Sequence, residues 1–290
     1  MKNLLVLGSS GLLGSELTSG QYLNKYNIIS HSLNAQTDYN LDLQKYDYLV
    51  KMIQEVKPEI IINLVGITDV DRCEKYPKEA YALNVKTVDN LVKAIKNFCP
   101  EAFLIHISTD QVYDNKGLDT EKNVNLSNYY AFSKYCGELL ASQTSCTILR
   151  TNFFGKSKTL KRNSFTDWLL EQHNLKKDII VFKDILFNPI SMNSLCKMIE
   201  LVVQKKIKGI FNLGSHEGMS KADFSFYFAK VLKLPTSNMT KASVSSNKFL
   251  AAYRPKNMLM DLSMFENKFQ VKLPKLTEEI VLASKQYLND

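Results

Sequence analysis

The sequence LLVL at residues 4–7 runs directly into GSSGLLG at residues 8–14, and this stretch decides the fold. The four apolar residues have the length of a buried strand. Glycine at every third position permits a tight turn and lets backbone N–H groups approach a pyrophosphate. Because this glycine turn follows a first strand and opens a helix, it predicts a nucleotide-binding site.

Strand and helix signals alternate along the rest of the first half of the chain. Short apolar runs predict strands at residues 28–29, 60–65, 103–107 and 146–149. Helix signals are found at residues 15–25, 46–56, 78–98 and 128–142. This βαβα order predicts an α/β fold, a doubly wound parallel sheet covered by helices on both faces.

The second half of the chain has a less regular pattern. Helices are expected at residues 165–173, 192–203 and 221–231, strands at 179–182 and 210–213, and a loop region at 233–258. We therefore expect a larger nucleotide-binding domain over residues 1–150, with returning segments near 177–213. A smaller C-terminal domain is expected over residues 151–290.

Composition argues against several classes of protein. With 45% hydrophobic and 23% charged residues among 290, the chain has the composition of a globular protein. No apolar run approaches the roughly 18 residues of a membrane span, so we expect no membrane insertion. The apolar segment near residue 5 is too short for a signal-peptide core, which makes the cytoplasm the expected compartment.

Metal and nucleic-acid binding find no support in the sequence. The number of cysteines, five, is odd, and no two of them have CxxC spacing. The four histidines do not have the spacing of metal ligands, so no metal site is predicted. The net charge of +8 could attract a polyanion. However, the lysines are scattered, without an aromatic-interleaved basic stripe, and we expect no nucleic-acid partner.

The end of the second predicted strand bears on which dinucleotide binds. An acidic residue about 20 positions after the glycine turn would bind the 2′-hydroxyl of NAD. This chain has Ser30, His31 and Ser32 there, neither a carboxylate that repels a 2′-phosphate nor an arginine that binds one. Asp42 comes later in the chain. The cofactor is therefore NADPH or NADH, and the missing carboxylate favours NADPH.

Tyr130 and Lys134 are four residues apart, which places a phenol and an ammonium on one face of a helix. Upstream, Ser108, Thr109 and Asp110 directly follow a predicted strand, where parallel sheets bind their ligands. A nearby ammonium lowers the pKa of a phenol, which can then pass a proton to a carbonyl oxygen while a hydride arrives at its carbon. We predict that Tyr130 donates this proton and that a hydroxyl of Thr109 or Ser108 holds the same oxygen.

Together these motifs resemble those of extended short-chain dehydrogenases/reductases. Further matches point to the dTDP-4-dehydrorhamnose reductase family, and they are NLVGITDVDRCE at 63–74, NV at 84–85, STDQVY at 108–113, RTNFFG at 150–155, NPI at 188–190 and RPKN at 254–257. The resemblance covers nearly the whole chain. It implies a Rossmann domain, a C-terminal nucleotide-sugar domain and NAD(P)H-dependent reduction of a 4-keto-6-deoxy sugar nucleotide.

By position, the resemblance also implies the site residues. Thr109, Tyr130 and Lys134 become the catalytic triad, and Lys134 also binds the nicotinamide ribose. Besides Tyr130 and Lys134, the residues expected to line the dinucleotide are Gly8, Ser10, Gly11, Leu12, Leu13, Asp42, Leu43, Leu64, Val65, Gly66 and Thr68. The expected substrate contacts are Ser108, Asp110, Gln111, Asn188 and Arg254.

Other functions of related proteins remain open to different degrees. The sister 4,6-dehydratases carry Asp-Glu where this chain has Asp110 and Gln111, and since glutamine cannot transfer a proton, dehydration is disfavoured. A nucleotide-sugar 4-epimerase stays open because it needs the same Tyr–Lys pair. A mainly non-catalytic role also stays open, because the NADP-binding regulatory subunit of methionine adenosyltransferase resembles this family. The sequence determines neither the sugar nor its nucleotide, and it is compatible with a homodimer.

Overall fold

A computed structural model describes residues 1–159, 162–247 and 249–288 of the chain. Its strands are β1 (Lys2–Leu7), β2 (Tyr26–Ser32), β3 (Tyr39–Asn40), β4 (Ile60–Asn63), β5 (Phe103–Ile107), β6 (Cys146–Thr151), β7 (Phe153–Phe154), β8 (Ile179–Phe182), β9 (Leu186–Phe187), β10 (Ile190–Ser191), β11 (Gly209–Leu213), β12 (Met219–Ser220), β13 (Met239–Ala242) and β14 (Asn257–Met258).

Its α-helices are α1 (Leu12–Leu17), α2 (Tyr46–Val56), α3 (Val70–Lys75), α4 (Pro77–Tyr81), α5 (Thr87–Phe98), α6 (Tyr129–Ala141), α7 (Phe165–Asn174), α8 (Met192–Lys205), α9 (Lys221–Val231), α10 (Ser263–Phe269) and α11 (Leu276–Leu288). A π-helical turn at Ala82–Lys86 joins α4 to α5. Within the described ranges, no helix combines the length and the apolar character that a membrane crossing requires.

The central sheet has seven parallel strands in the order β11-β6-β5-β4-β1-β2-β3. Chain order runs outward in both directions from the neighbouring strands β1 and β4. In sheets of this kind, ligands bind beside the carboxyl ends of the strands at that point of reversal. The predicted doubly wound α/β fold is confirmed.

Alternating side chains of the strands build a hydrophobic core on each face of this sheet. Leu4 and Val6 of β1 belong to the core that includes residues of α8 and α10. Leu5 and Leu7 belong to the opposite core, which includes residues of α2 and α5. Because helices cover both faces, the ends of the strands are where polar side chains can meet a ligand.

The C-terminal elements enclose a smaller aromatic core. The ring of Phe224 on α9 lies 4.8 Å from that of Phe154 and 5.5 Å from that of Phe187, measured between centroids. Phe165, the first residue of α7, joins the same group of rings at 5.6 Å from Phe224. This core fixes α7 and α9 beside the carboxyl ends of β5 and β6.

The chain returns to the large sheet after residue 150. Gly209–Leu213 pairs in parallel register with Thr147–Thr151, and it falls within the segment 177–213 for which the sequence predicts a return. β8 falls within the same segment but pairs with β13 in a separate two-stranded sheet. The division into domains at residue 150 stays a prediction.

Several predicted elements differ from the structure. The helix expected at residues 15–25 is wrong, since α1 ends at Leu17 and Gly20 adopts a φ of 85°, outside the helical region. The long helix expected at 78–98 is interrupted by the π-helical turn. The expected loop at 233–258 contains β13 and β14, and the sequence analysis did not predict α10 and α11.

Candidate active site

Two adjoining cavities lie at the carboxyl ends of the central strands, and we call them the first and the second cavity. The first has a volume of about 370 Å³ and contains the predicted residues Gly8, Gly11, Leu12, Leu13, Leu64, Gly66, Thr68, Ser108, Thr109, Asp110, Gln111, Tyr130 and Lys134 in its lining. The second, of about 210 Å³, adds Ser10, Asp42, Leu43 and Val65. Asn188 and Arg254 line neither cavity.

The glycine turn forms the wall that both cavities share. The backbone N–H groups of Gly8 and Ser9 donate to the carbonyl oxygen of His31 at 2.9 and 3.0 Å, which ties the turn to the end of β2. Gly8 has a φ of 84°, and a Cβ atom on Gly14 would overlap the carbonyl oxygen of Gly8. Glycine is therefore required at both positions, and the turn leaves room for close approach of a ligand to its backbone.

The second cavity has the chemistry of an adenosine site. Its lining combines leucine and valine side chains with glycines and hydroxyl groups, and Asp42 is the one carboxylate among its described lining residues. The ring Nε2 of His31 lies 3.0 Å from the carbonyl oxygen of Leu41, and burial lowers the pKa of this histidine. A neutral His31 neither attracts nor repels a phosphate. The residues of the two cavities together fit an extended dinucleotide.

Thr109, Tyr130 and Lys134 meet in the first cavity. Asn128 begins α6 by accepting a hydrogen bond from the N–H of Ala131 at 2.8 Å, which orients the helix that carries Tyr130 and Lys134. Both side chains are 6% exposed. The Nζ atom of Lys134 donates to the carbonyl oxygen of Ile107 at 2.6 Å, so the ammonium lies at the carboxyl end of β5.

Burial dominates the pKa values of Tyr130 and Lys134. It raises the pKa of Tyr130 well above its usual range, while a hydrogen bond with Thr109 acts in the opposite direction. It also lowers the pKa of Lys134 to about 8. The expectation of a lowered pKa for this phenol is wrong for the chain by itself, because desolvation outweighs the influences that act in the opposite direction, and Tyr130 retains its proton at neutral pH.

Asp110 brings a second titratable group into the first cavity. Burial raises the pKa of Asp110 to about 6, opposed by a hydrogen bond that Asn152 donates to its Oδ2 at 2.8 Å and by the charge of Lys221. The Nζ atom of Lys221 lies over the rings of Phe165 and Phe187, 5.7 and 5.8 Å from their centroids. The carboxyl group of Asp110 therefore changes charge close to neutral pH.

Ser108 is held by a buried ion pair behind the cavity. Its hydroxyl donates to Oε1 of Glu138 at 2.5 Å, and Glu138 Oε2 lies 2.6 Å from Nη2 of Arg150. Arg150 also donates from Nη1 to the hydroxyl of Tyr113 at 2.8 Å. Both charged side chains are at most 1% exposed, and each has several partners. The pair therefore gives Ser108 one fixed orientation.

The structure places Asn188 and Arg254 outside the cavities, each in a packing contact. The amide of Asn188 donates to the carbonyl oxygen of Met260 and accepts from the N–H of the same residue, both at 3.0 Å. Arg254 pairs with Oδ2 of Asp71 at 2.7 Å and joins the C-terminal region to the start of α3. Their role as substrate contacts stays a prediction.

Sequence reasoning left out several lining residues of the first cavity. Asn152 and Phe153 follow β6 as Ser108 follows β5, so the rule about strand ends could have found them. Arg162 and Phe165 carry no such local signal. Among the residues that the structure describes, no group of three or more His, Cys, Asp or Glu side chains is arranged to hold a metal ion.

Comparison with known proteins agrees with this geometry. The model of the family described as RmlD substrate binding domain matches residues 1–289. The chain belongs to the RmlD family. The resemblance to extended short-chain dehydrogenases/reductases of the dTDP-4-dehydrorhamnose reductase group is thereby confirmed.

Individual relatives of this RmlD-family chain are distant in sequence but similar in length. The dTDP-4-dehydrorhamnose reductase of Escherichia coli (strain K12) is 26% identical over 288 residues, which covers 94% of this chain and 93% of that protein. The methionine adenosyltransferase 2 subunit beta of Danio rerio is 25% identical over 91% of this chain and 84% of that protein. A crystal structure of dTDP-4-dehydrorhamnose reductase from Bacillus anthracis in complex with NADP has a TM-score of 0.89 at 24% identity, covering 99% of this chain and all of that one.

Proposed function

We propose that this protein is an NADPH-dependent reductase of a 4-keto-6-deoxy sugar nucleotide. The observation that carries the proposal is the meeting of Thr109, Tyr130 and Lys134 with the glycine turn in one cavity of an RmlD-family chain. The names of the relatives support the substrate class, and the NADP bound to the Bacillus anthracis protein supports the cofactor.

In this proposal the dinucleotide, when bound, supplies the hydride, and the protein supplies the proton. Thr109 and Tyr130 bind the carbonyl oxygen of the sugar with their hydroxyl groups. Tyr130 then donates its proton to that oxygen as negative charge develops there. Because Tyr130 is protonated at neutral pH, it begins the reaction in the form that a donor needs.

Lys134 acts on the phenolate that remains after proton donation. The carbonyl oxygen of Ile107 holds its ammonium in the first cavity. A positive charge at this place stabilises a phenolate and an oxyanion more than the neutral groups that precede them. Gln111, next to Asp110, has no proton to transfer at accessible pH, which favours reduction over dehydration.

The test is a reaction with purified protein, NADPH and a 4-keto-6-deoxy sugar nucleotide. We expect NADPH to be oxidised only when the keto sugar is present, with formation of a 4-hydroxy sugar nucleotide that NMR identifies. NADH in parallel reactions measures the preference between the two dinucleotides. Consumption of neither dinucleotide with thymidine, uridine or guanosine diphosphate keto sugars would contradict the proposal, as would epimerisation of a 4-hydroxy sugar without net oxidation.

A second candidate is a dinucleotide-binding subunit that does not turn over a sugar. The similarity to the Danio rerio subunit beta favours it, because that match also spans most of the chain. Binding of NADPH without keto-sugar reduction, together with co-purification of a methionine adenosyltransferase, would support this role. The complete set of Thr109, Tyr130 and Lys134 favours the reductase.

Two further expectations belong to the same proposal. We infer that the protein acts in the cytoplasm. A homodimer is compatible with the sequence, and sedimentation equilibrium of the purified chain measures the mass in solution. A mass of one chain at enzyme concentrations would contradict the dimer and leave the reaction itself unaffected.

A further inference from the structure

One cationic side chain lies where the two cavities meet. The residues that line both cavities are Gly8, Gly11, Leu64, Gly66 and Arg162. The first four come from the glycine turn and the end of β4. Arg162 comes from the segment between β7 and α7, so it faces the glycine turn from the other half of the chain.

Arg162 also differs from the other arginines in its pairing. The chain has four arginines, and Arg72, Arg150 and Arg254 each form an ion pair with a carboxylate, at 2.8, 2.6 and 2.7 Å. Across residues 1–159, 162–247 and 249–288, no carboxylate or other acceptor pairs with the exposed guanidinium of Arg162. Its charge and its planar set of donors are available to a ligand.

The anion that fits this place is a diphosphate. A dinucleotide that extends from the second cavity into the first has its diphosphate at their junction, between the adenosine and the nicotinamide ribose. The glycine turn offers backbone N–H groups on one side of it. We propose that Arg162 binds the diphosphate of the dinucleotide from the opposite side, with charge-assisted hydrogen bonds to its oxygens. This inference rests on the proposed function, because it assumes that a dinucleotide occupies both cavities.

Two other anions share the chemistry of the dinucleotide diphosphate. They are the 2′-phosphate of NADPH, which would lie in the second cavity, and the diphosphate of the sugar nucleotide, which would enter the first. NADH lacks the 2′-phosphate but has the same central diphosphate as NADPH. Comparing NADPH, NADH and sugar nucleotide therefore separates the three sources.

The experiment measures dissociation constants of NADPH, NADH and ADP-ribose by isothermal titration calorimetry, and the KM for the keto-sugar nucleotide by NADPH oxidation. The proteins are the parent chain, Arg162→Gln, Arg162→Lys and Lys197→Gln, which removes one positive charge from an exposed position of α8. We expect Arg162→Gln to weaken all three ligands by one common factor, about ten- to thirtyfold. Arg162→Lys should restore part of the affinity because it keeps the charge, and Lys197→Gln should match the parent.

The outcomes separate this inference from the proposed function. A loss confined to NADPH would assign Arg162 to the 2′-phosphate, and a change only in the KM for the sugar nucleotide would assign it to the substrate; both overturn the inference. Unchanged affinities in Arg162→Gln, with a parent that binds dinucleotide, overturn the inference and leave the proposed function intact. A parent chain that binds neither NADPH nor NADH overturns the proposed function itself.

Discussion

Lys134 and Glu138 are one turn apart on α6, and both are buried, yet their surroundings differ. Within the part of the chain that the structure describes, the ammonium of Lys134 has one hydrogen-bond acceptor, the carbonyl oxygen of Ile107, and burial lowers its pKa to about 8. The carboxylate of Glu138 accepts from Ser108 and from two nitrogens of Arg150. One buried charge is thus poorly compensated and the other is fully compensated.

The difference separates a reactive group from a supporting one. A charge with few partners responds to the charge of a ligand or of a neighbouring phenolate, which is what catalysis requires. A charge with a counter-ion and several hydrogen bonds has one stable arrangement and changes little when the ligand arrives. In the proposed function, Lys134 takes part in the chemistry and Glu138 fixes the position of Ser108 beside it.

Removing the compensated charge should have the largest effect on stability. Glu138→Ala leaves Arg150 buried without its carboxylate, and we expect a loss of about 3–5 kcal/mol in the free energy of unfolding. Urea denaturation followed by circular dichroism measures it. The matched control is Glu79→Ala, which breaks the exposed pair with Arg72 and should change stability by less than about 1 kcal/mol. Equal effects in the two variants would remove the contrast on which this account depends.

Removing the poorly compensated charge of Lys134 should stabilise the protein, whereas removing Glu138 should destabilise it. The pKa of Lys134 is about 8 in the folded chain and 10.5 as an ordinary lysine, so the unfolded state binds more protons between these values. The stability of the parent should therefore rise with pH from about 8 to 10.5. Lys134→Met should abolish that slope and raise the free energy of unfolding by about 1–3 kcal/mol at neutral pH. Turnover should fall in the same variant. A variant less stable than the parent at neutral pH would contradict the assignment.

Asp110 should give a smaller effect over a lower range of pH. Its pKa is about 6 in the folded chain and 3.8 as an ordinary aspartate, so the folded state binds more protons between these values. Stability of the parent should fall as the pH rises through this range. Asp110→Asn keeps an acceptor for the amide of Asn152. In this variant the free energy of unfolding should vary with pH by about 1–2 kcal/mol less than in the parent, as measured by urea denaturation at a series of pH values. A slope that persists in the variant would assign it to another group.

The features that could be predicted from the sequence are those that depend on a local pattern of residues. The glycine turn, the helix at 46–56, the strand at 103–107 and the spacing of Tyr130 and Lys134 all rest on residues close together in the chain, and the structure has each of them. The rule that ligands bind at the carboxyl ends of parallel strands correctly predicted that three residues line the first cavity, namely Ser108, Thr109 and Asp110.

What the sequence missed depends on contacts between distant segments. The two-residue strands β9 and β14 are defined by their pairing with each other and, for β9, also with β12, so no local signal marks them. The π-helical turn surrounds Asn84, which bonds to the backbone of Ile67. The pKa of Tyr130 depends on how completely it is buried, and whether Arg162 has an ion-pair partner among the described residues depends on which carboxylates lie nearby. Neither can be read from spacing.

The most direct test of the account is the proton donation by Tyr130. With NADPH and the 4-keto-6-deoxy sugar nucleotide, Tyr130→Phe should lower kcat about 10²- to 10⁴-fold, since it removes the donor and little else. Calorimetry should give the same dissociation constant for NADPH as the parent. Turnover at the parent rate in this variant, with NADPH still bound, would contradict the assignment of Tyr130 as the proton donor and the mechanism built on it.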